Sequence, residues 1–316
     1  MSVPLADLPL QRLEQLVSDV GQVVRGKESV IRMCLVGLLA RGHVLLEDVP
    51  GTGKTTLARA LSRALGLDFQ RIQFTSDLLP SDVLGVSIWD QEEHTFRFRR
   101  GPVFHNVLLA DELNRTSPRT QSALLEAMSE NAVSVDGSTF DLPQPFFVIA
   151  TQNPMEFEGT YPLPESQLDR FLLRLALGHP DREVAFEVLQ NRGNEDPVAS
   201  LKPSISAEEL KALIAAVPQV RTDEDLLEYL LDLIEETRSH AHLALGASTR
   251  AALGLHRAAQ ALALLSGRDF VTPDDIKRLF VPCIAHRVLP SPTYEGGMHG
   301  TEPILQSMLD EVEVPQ

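Results

Sequence analysis

His43-Val44-Leu45-Leu46-Glu47-Asp48-Val49-Pro50-Gly51-Thr52-Gly53-Lys54-Thr55-Thr56 is the stretch on which the reading of the chain turns. Val44 to Leu46 is a short apolar run, the end of a buried strand. Pro50, Gly51 and Gly53 make a tight turn. Lys54 and Thr55 then open a helix that continues through Leu57, Ala58, Ala60 and Leu61. Strand, glycine-bearing turn, Lys-Thr and helix together read as a phosphate-binding loop. The chemistry asks for these residue types. A triphosphate needs many donors at short range, so small residues must let backbone N–H groups point inward, and a helix N-terminus adds positive potential. Pro50, Gly51, Thr52, Gly53, Lys54, Thr55 and Thr56 are therefore candidate nucleotide-binding residues. Lys54 is expected on the β and γ phosphates, and the Thr55 hydroxyl on Mg²⁺. One departure is visible: the usual pattern begins with glycine five positions before the Gly-Lys pair, and here Asp48 stands there. Read alone, the motif is also compatible with a surface turn.

A second motif bears on that choice. Val107 to Ala110 is a solid apolar run that delivers Asp111 and Glu112 to its carboxyl end. This pattern fits nucleotide hydrolysis, with Asp111 in the Mg²⁺ shell and Glu112 as the general base for the attacking water. A third strand, residues 146–151, closes at Gln152-Asn153-Pro154. Asn153 could donate to a γ-phosphate or orient the water, or simply form the turn before Pro154. Arg170 and Arg250 read either as surface arginines or as cations that reach a γ-phosphate from a neighbouring subunit. The guanine-selecting Asn-Lys-x-Asp does not follow the core strands, so ATP is favoured over GTP.

Composition narrows the class. At 316 residues the chain has room for about two domains. A net charge of −16 argues against wrapping nucleic acid or lying on an anionic membrane. Cys34 and Cys283 sit in apolar helical surroundings and read as buried thiols in a reducing compartment. No basic flank precedes an apolar run at the N-terminus, and no apolar stretch approaches the ~20 residues of a membrane span. A cytoplasmic protein without membrane insertion is the expectation.

In chain order, residues 1–10 are expected extended and an amphipathic helix begins near Pro9, broken or bent at Gly21. A helix over roughly 30–39 precedes the phosphate loop. Residues 69–74 alternate as a strand. Two β-hairpins follow: residues 84–89 with 95–99, where Trp89 either packs across the hairpin or offers a contact to a partner, and residues 132–135 with 139–142 around Asp136-Gly137. A helix from Pro118 separates them, and residues 172–175 form a last strand. Beyond Gly178-His179-Pro180 the β pattern stops, and helices are expected over 182–191, 207–217, 222–242, 248–265 and 273–288, with a short one at 304–309. The expected fold is α/β: a parallel sheet with helices on both faces and two β-hairpin insertions over residues 1–179, then a small all-α lid over 180–316. Lys54, Asp111 and Asn153 each follow a predicted strand end, where ligands of such sheets bind.

Together, Gly51-Thr52-Gly53-Lys54-Thr55, Asp111-Glu112, Asn153, Asp169-Arg170-Phe171 and Ser248-Thr249-Arg250 resemble an AAA+ ATPase, and the two hairpins its helix-2-insert branch. Asp111-Glu112-Leu113-Asn114-Arg115, the run from Gln121 to Met128, Ala150-Thr151-Gln152-Asn153-Pro154 and the run from Pro164 to Phe171 are similar to the MoxR family. The likeness spans about residues 8–313. It implies a homo-hexameric ring with ATP between subunits, Arg170 as the arginine finger and Arg250 as the second sensor, one or both acting across the interface. It places Val24 to Gly26 near the adenine, and the hairpins toward the pore or client. It implies a chaperone working with a von Willebrand factor A domain protein on a client complex, in metal-centre or cofactor maturation. Because Asp48 touches the first turn of the loop and not the phosphate ligands, binding is expected to survive. Competing readings are a magnesium-chelatase-like motor subunit, a DNA-translocating hairpin-bearing ATPase using Arg97, Arg99 and Arg100, and a nucleotide-dependent scaffold.

Overall fold

The structure, a computed structural model, describes residues 8–153, 159–190, 196–294 and 300–314. Residues 1–7 of the segment expected to be extended, 1–10, and residues 154–158 after Asn153 lie outside them. α1 (Leu10–Val23) buries Leu13, Leu16, Val17 and Val20 along one face. It runs through Gly21 without a break, contrary to expectation. Four buried side chains outweigh the roughly 1 kcal/mol that a helical glycine costs. α2 (Glu28–Leu39) leads into β1 (Val44–Glu47), and α3 (Lys54–Ala64) follows the loop. Next come β2 (Phe69–Gln73), the short α4 (Pro80–Leu84), the hairpin β3 (Gly85–Asp90) and β4 (Thr95–Arg100), and β5 (Val107–Asp111). α5 (Pro118–Glu130) precedes the second hairpin, β6 (Ala132–Val135) and β7 (Ser138–Asp141). β8 (Phe147–Gln152), the single-turn α6 (Glu165–Leu168) and β9 (Leu173–Leu175) complete the sheet region.

The five sheet strands are all parallel, in the order β2-β5-β8-β1-β9. Alternation along the strands sorts their side chains into two cores. Val44, Leu46, Val107, Leu109, Phe147 and Ile149 enter one core with α1, α2 and α3. Leu45, Leu108, Ala110, Val148 and Ala150 enter the other with Leu124, Leu125 and Met128 of α5. Burial on both faces is why these strands read as unbroken apolar runs. His43 closes the amino end of β1: its Nδ1 accepts from Val148 N–H at 3.1 Å and its Nε2 donates to the Met128 carbonyl at 3.1 Å. Burial pushes its pKa down to about 4, so the ring is neutral at neutral pH.

The hairpins lean on each other through Phe98 and Phe140, stacked at 4.3 Å. Trp89 packs edge-on across its own hairpin against Phe96 at 5.1 Å, as expected.

α7 (Arg182–Gln190), α8 (Ala207–Ala216), α9 (Glu224–Ser239), α10 (Thr249–Leu265), α11 (Pro273–Ile284) and α12 (Thr301–Glu311) follow. The β pattern does not stop at residue 179. β10 (Leu243–Leu245) pairs antiparallel with β11 (Leu289–Pro290). α9 and α11 stop at Ser239 and Ile284, short of the expected ends, and the ribbon begins just beyond residues 242 and 288. Three-residue and two-residue strands carry no periodicity to read. Buried residues of α8 to α12 share one continuous core with α1, α2 and α3. No helix among the described residues is long and apolar enough to cross a membrane.

Candidate functional site

The phosphate loop is set by its glycines. Gly51 and Gly53 have φ of +87° and +94°, a region that an L side chain enters only with strain. Gly53 begins α3 without a side-chain cap, which leaves first-turn N–H groups to an incoming anion. Lys54 Nζ donates to the carbonyls of Asp48 at 2.7 Å and Val49 at 3.0 Å, holding the loop in its own curve. Burial pulls the Lys54 pKa down, and the charges of Asp48, Asp111 and Glu112 push it back up.

Asp48 has a structural use. One carboxylate oxygen accepts from Val49 N–H at 2.8 Å, and the other accepts from Gly178 N–H. The residue that departs from the glycine pattern thus anchors the loop to the segment leaving β9. Lys27 Nζ donates to the His179 carbonyl at 2.9 Å, and a Cβ built on Gly26 would lie 3.6 Å from Val184. The turn holding Val24 and Gly26 therefore meets the same 178–179 segment and the first turn of α7, on the flank of the phosphate loop.

β5 delivers Asp111 and Glu112 as expected. Asp111 accepts from the Thr151 hydroxyl at 2.6 Å and from Arg71 Nη2 at 2.7 Å. Glu112 has φ +57° and ψ +49°, left-handed geometry for a residue with a side chain. Two bonds fix it there: Glu112 N–H donates to Thr151 Oγ1 at 2.8 Å, and Arg115 N–H donates to the Glu112 carbonyl at 2.9 Å. Strain held this way aims a carboxylate away from the strand direction. Gln73 Nε2 donates to Glu112 Oε2 at 2.7 Å, and Arg115 Nε lies 3.3 Å from the same oxygen.

These elements enclose a cleft of about 380 Å³ at the carboxyl ends of the strands. Pro50, Gly51, Gly53, Lys54, Thr55, Asp111, Glu112 and Asn153 line it. The sequence reading missed Arg71, Gln73 and Thr151, which line it too. Thr52 turns under the loop, its hydroxyl 3.4 Å from the Val49 carbonyl, and Thr56 follows on α3. Thr55 and Asp111 both line this cleft and supply hard oxygen donors, a set suited to Mg²⁺.

Arg170 and Arg250 are elsewhere. They line a second cleft, about 310 Å³, at the amino end of the sheet beside Gly42 and His43. Leu172 N–H donates to the His43 carbonyl at 2.8 Å, which fixes the Arg170 turn at that end. β1 carries the chain from His43 to Asp48, a span of about 16 Å at the usual rise per residue. Ser248 caps α10 by accepting from Ala251 N–H at 3.1 Å, which sets Arg250 in the first turn of the helix. Arg41, Arg257 and Arg287 join them, against one acid, Asp169. Arg170 Nη1 is buried and makes no hydrogen bond among the described residues. Five guanidiniums facing one carboxylate repel one another until an anion arrives.

Residues 43–173 match the family profile described as ATPase family associated with various cellular activities (AAA), and residues 235–307 match the AAA lid domain. The protein YeaC of Bacillus subtilis (strain 168) is 48% identical over 96% of this chain and 95% of its own length. The chaperone MoxR1 of Mycobacterium tuberculosis (strain ATCC 25618 / H37Rv) is 40% identical over 96% of this chain and 82% of its own. A crystal structure of a candidate ATPase from Cytophaga hutchinsonii (ATCC 33406) superposes with a TM-score of 0.90 at 38% identity, covering 97% of this chain and 96% of that one.

Proposed function

Because this chain belongs to the MoxR family of AAA+ ATPases, we propose that it hydrolyses ATP between two copies of itself and uses the cycle to remodel, assemble or activate a partner protein complex. ATP binding and hydrolysis come with the family; the division of the site is our reading. The observation that carries it is the placement of two half-sites at opposite ends of one sheet. One offers phosphate donors and acids, and the other offers five arginines against a single acid, Asp169. A copy whose amino-end cleft faces its neighbour's phosphate loop completes both.

In this reading the loop from Pro50 to Thr56 holds the phosphates, with Lys54 turning from the loop carbonyls to the β and γ oxygens. Val24 and Gly26 flank the adenine. Thr55 and Asp111 would hold Mg²⁺, which when bound neutralises phosphate charge. Glu112 takes the proton of the attacking water, and Asn153 orients that water. Arg170 and Arg250 meet the developing negative charge from the neighbouring subunit. The division into a core at 1–179 and a lid at 180–316 fits this use, since Asp48 clamps the junction at Gly178. A head-to-tail contact of this kind closes into a ring, and a hexamer is the proposed form. The hairpins would face the pore or the client, since Phe96 is 71% exposed and Trp89 47%. A von Willebrand factor A domain protein and a cytoplasmic setting complete the proposal, with metal-centre or cofactor maturation as the task. Arg97 is ion-paired with Asp90 and Glu93, which weakens the basic patch that a DNA-translocating reading needs.

The test mixes two inactive variants. Arg170→Ala keeps a complete phosphate-loop side, and Lys54→Ala keeps a complete arginine side. Each alone is expected to lose at least 10-fold in ATPase rate. Mixed one to one they should regain about a quarter of the parent rate, because chance pairing puts intact halves together at a quarter of the interfaces. A mixture no more active than its components would refute action across the interface.

A further inference from the structure

Arg170 sits in the turn between α6, which ends at Leu168, and β9, which starts at Leu173. The N–H groups of this turn bond back to α6, Arg170 to the Gln167 carbonyl at 3.2 Å and Phe171 to the Leu168 carbonyl at 3.0 Å. The carbonyls on either side of Arg170 are held by the segment that follows α11. Arg287 Nη2 donates to the Phe171 carbonyl at 2.7 Å and to the Asp169 carbonyl at 3.3 Å. Arg287 Nε lies 3.3 Å from Asp169 Oδ1. His286 Nε2 donates to the same Phe171 carbonyl at 2.8 Å. The Arg287 side chain is 4% exposed. Its Nη1 and Nε make no hydrogen bond among the described residues, and the residue stands in the wall of the arginine cleft.

The same guanidinium touches the helix that carries Arg250. A Cβ built on Gly254, one turn along α10 from Arg250, would lie 3.1 Å from Arg287 Nη1 and 3.1 Å from Leu172 Cδ1. α10, the segment after α11 and the 169–172 turn therefore meet at one side chain. A buried guanidinium with unfilled donors is a costly way to fill space, and an apolar residue of like volume would do that better. A planar fork that spans two carbonyls and a carboxylate does what an apolar residue cannot: it fixes the orientation of a short turn.

We propose that Arg287, supported by His286, is the positioning residue that aims Arg170 at the neighbouring subunit's nucleotide, linking the helical C-terminal region to the arginine half-site. The inference rests on the reading above that Arg170 acts in trans. Arg287 itself touches no nucleotide. Its loss leaves the phosphate loop of its own subunit intact and misaims the guanidinium offered to the next one. Misplacement on the scale of 1 Å suffices to cost a large factor in rate.

The test uses the full-length assembled protein with Arg287→Met and Arg287→Lys. Arg287→Met is expected to lower kcat by about 10-fold or more, with KM for ATP within about twofold, since the binding half is untouched. Arg287→Lys keeps the charge but cannot face the two carbonyls and the Asp169 carboxylate from separate nitrogens, and should fall between parent and Met variant. Should the Met variant fail to fold, the Lys variant carries the same comparison. Mixing either with Lys54→Ala should restore activity toward about a quarter of the parent, in parallel with the Arg170→Ala mixture. Rescue of Arg170→Ala without rescue of the Arg287 variants would overturn the positioning role and leave the trans reading standing. Rescue of neither would sink the trans reading itself. An unchanged kcat in the Met variant would also overturn the positioning role.

Discussion

Replacing Glu112 by Gln is expected to lower ATP turnover by about 10²-fold to 10⁴-fold while ATP binding stays close to that of the parent. The amide has nearly the shape of the acid, so the left-handed backbone at residue 112, fixed by Thr151 and by Arg115 N–H, has no reason to change. Gln73 Nε2 can still donate to the remaining carbonyl oxygen, as it does to Glu112 Oε2 at 2.7 Å. What disappears is the capacity to take a proton from water. The phosphate loop is a separate part of the cleft lining and keeps its donors, so binding energy is not the quantity at risk. Phosphate release and binding of a non-hydrolysed ATP analogue, measured on the same preparation, separate the two. Turnover within twofold of the parent would place the base elsewhere.

Lys54→Ala is expected to act on the other quantity. Its ammonium is partly buried, close to the loop carbonyls of Asp48 and Val49, and the triphosphate would draw it away from them. Each charge-assisted hydrogen bond to phosphate contributes about 1.5–3 kcal/mol, and each 1.4 kcal/mol is tenfold in affinity. Loss of contacts to the β and γ phosphates should therefore weaken ATP binding by about 10²-fold or more. Thermal stability should change far less, because α3 is held by Leu57, Ala58, Ala60 and Leu61 in the core. Calorimetric titration with ATP checks the affinity, and a melting curve without nucleotide checks the fold. Parent-like affinity would mean that the loop does not hold the phosphates through Lys54.

The two predictions draw on residues that the sequence made visible for a physical reason. β1, β5 and β8 are buried on both faces, so each is an apolar run, and the polar residues that follow reach the cleft: Lys54 through the loop after β1, Asp111 and Glu112 at the end of β5, and Asn153 after β8. Lys54, Asp111, Glu112 and Asn153 were legible in that way. Arg71 and Gln73 were not. They alternate with apolar neighbours on an edge strand, a pattern that reads as a solvent face. Only the strand order, with β2 beside β5 and Gln73 opposite Asp111, makes them partners of the two acids. Asp48 looked like a defect because its partner, Gly178, lies 130 residues away. Arg170 and Arg250 were legible as candidates one at a time. That they share one cleft, at the end of the sheet away from the phosphate loop, depends on the packing of α10 against α11 and of α11 against β9.

That placement also decides what to measure first. If each nucleotide is hydrolysed between two copies of the chain, the ATPase rate per chain must depend on assembly. The measurement is that rate at saturating ATP over a dilution series of the unmodified protein, with the mass of the assembled species followed in the same samples. The account predicts that the rate per chain falls in step with the loss of assembled species and reaches background where only single chains remain. A rate per chain that stays undiminished in samples of single chains would contradict it.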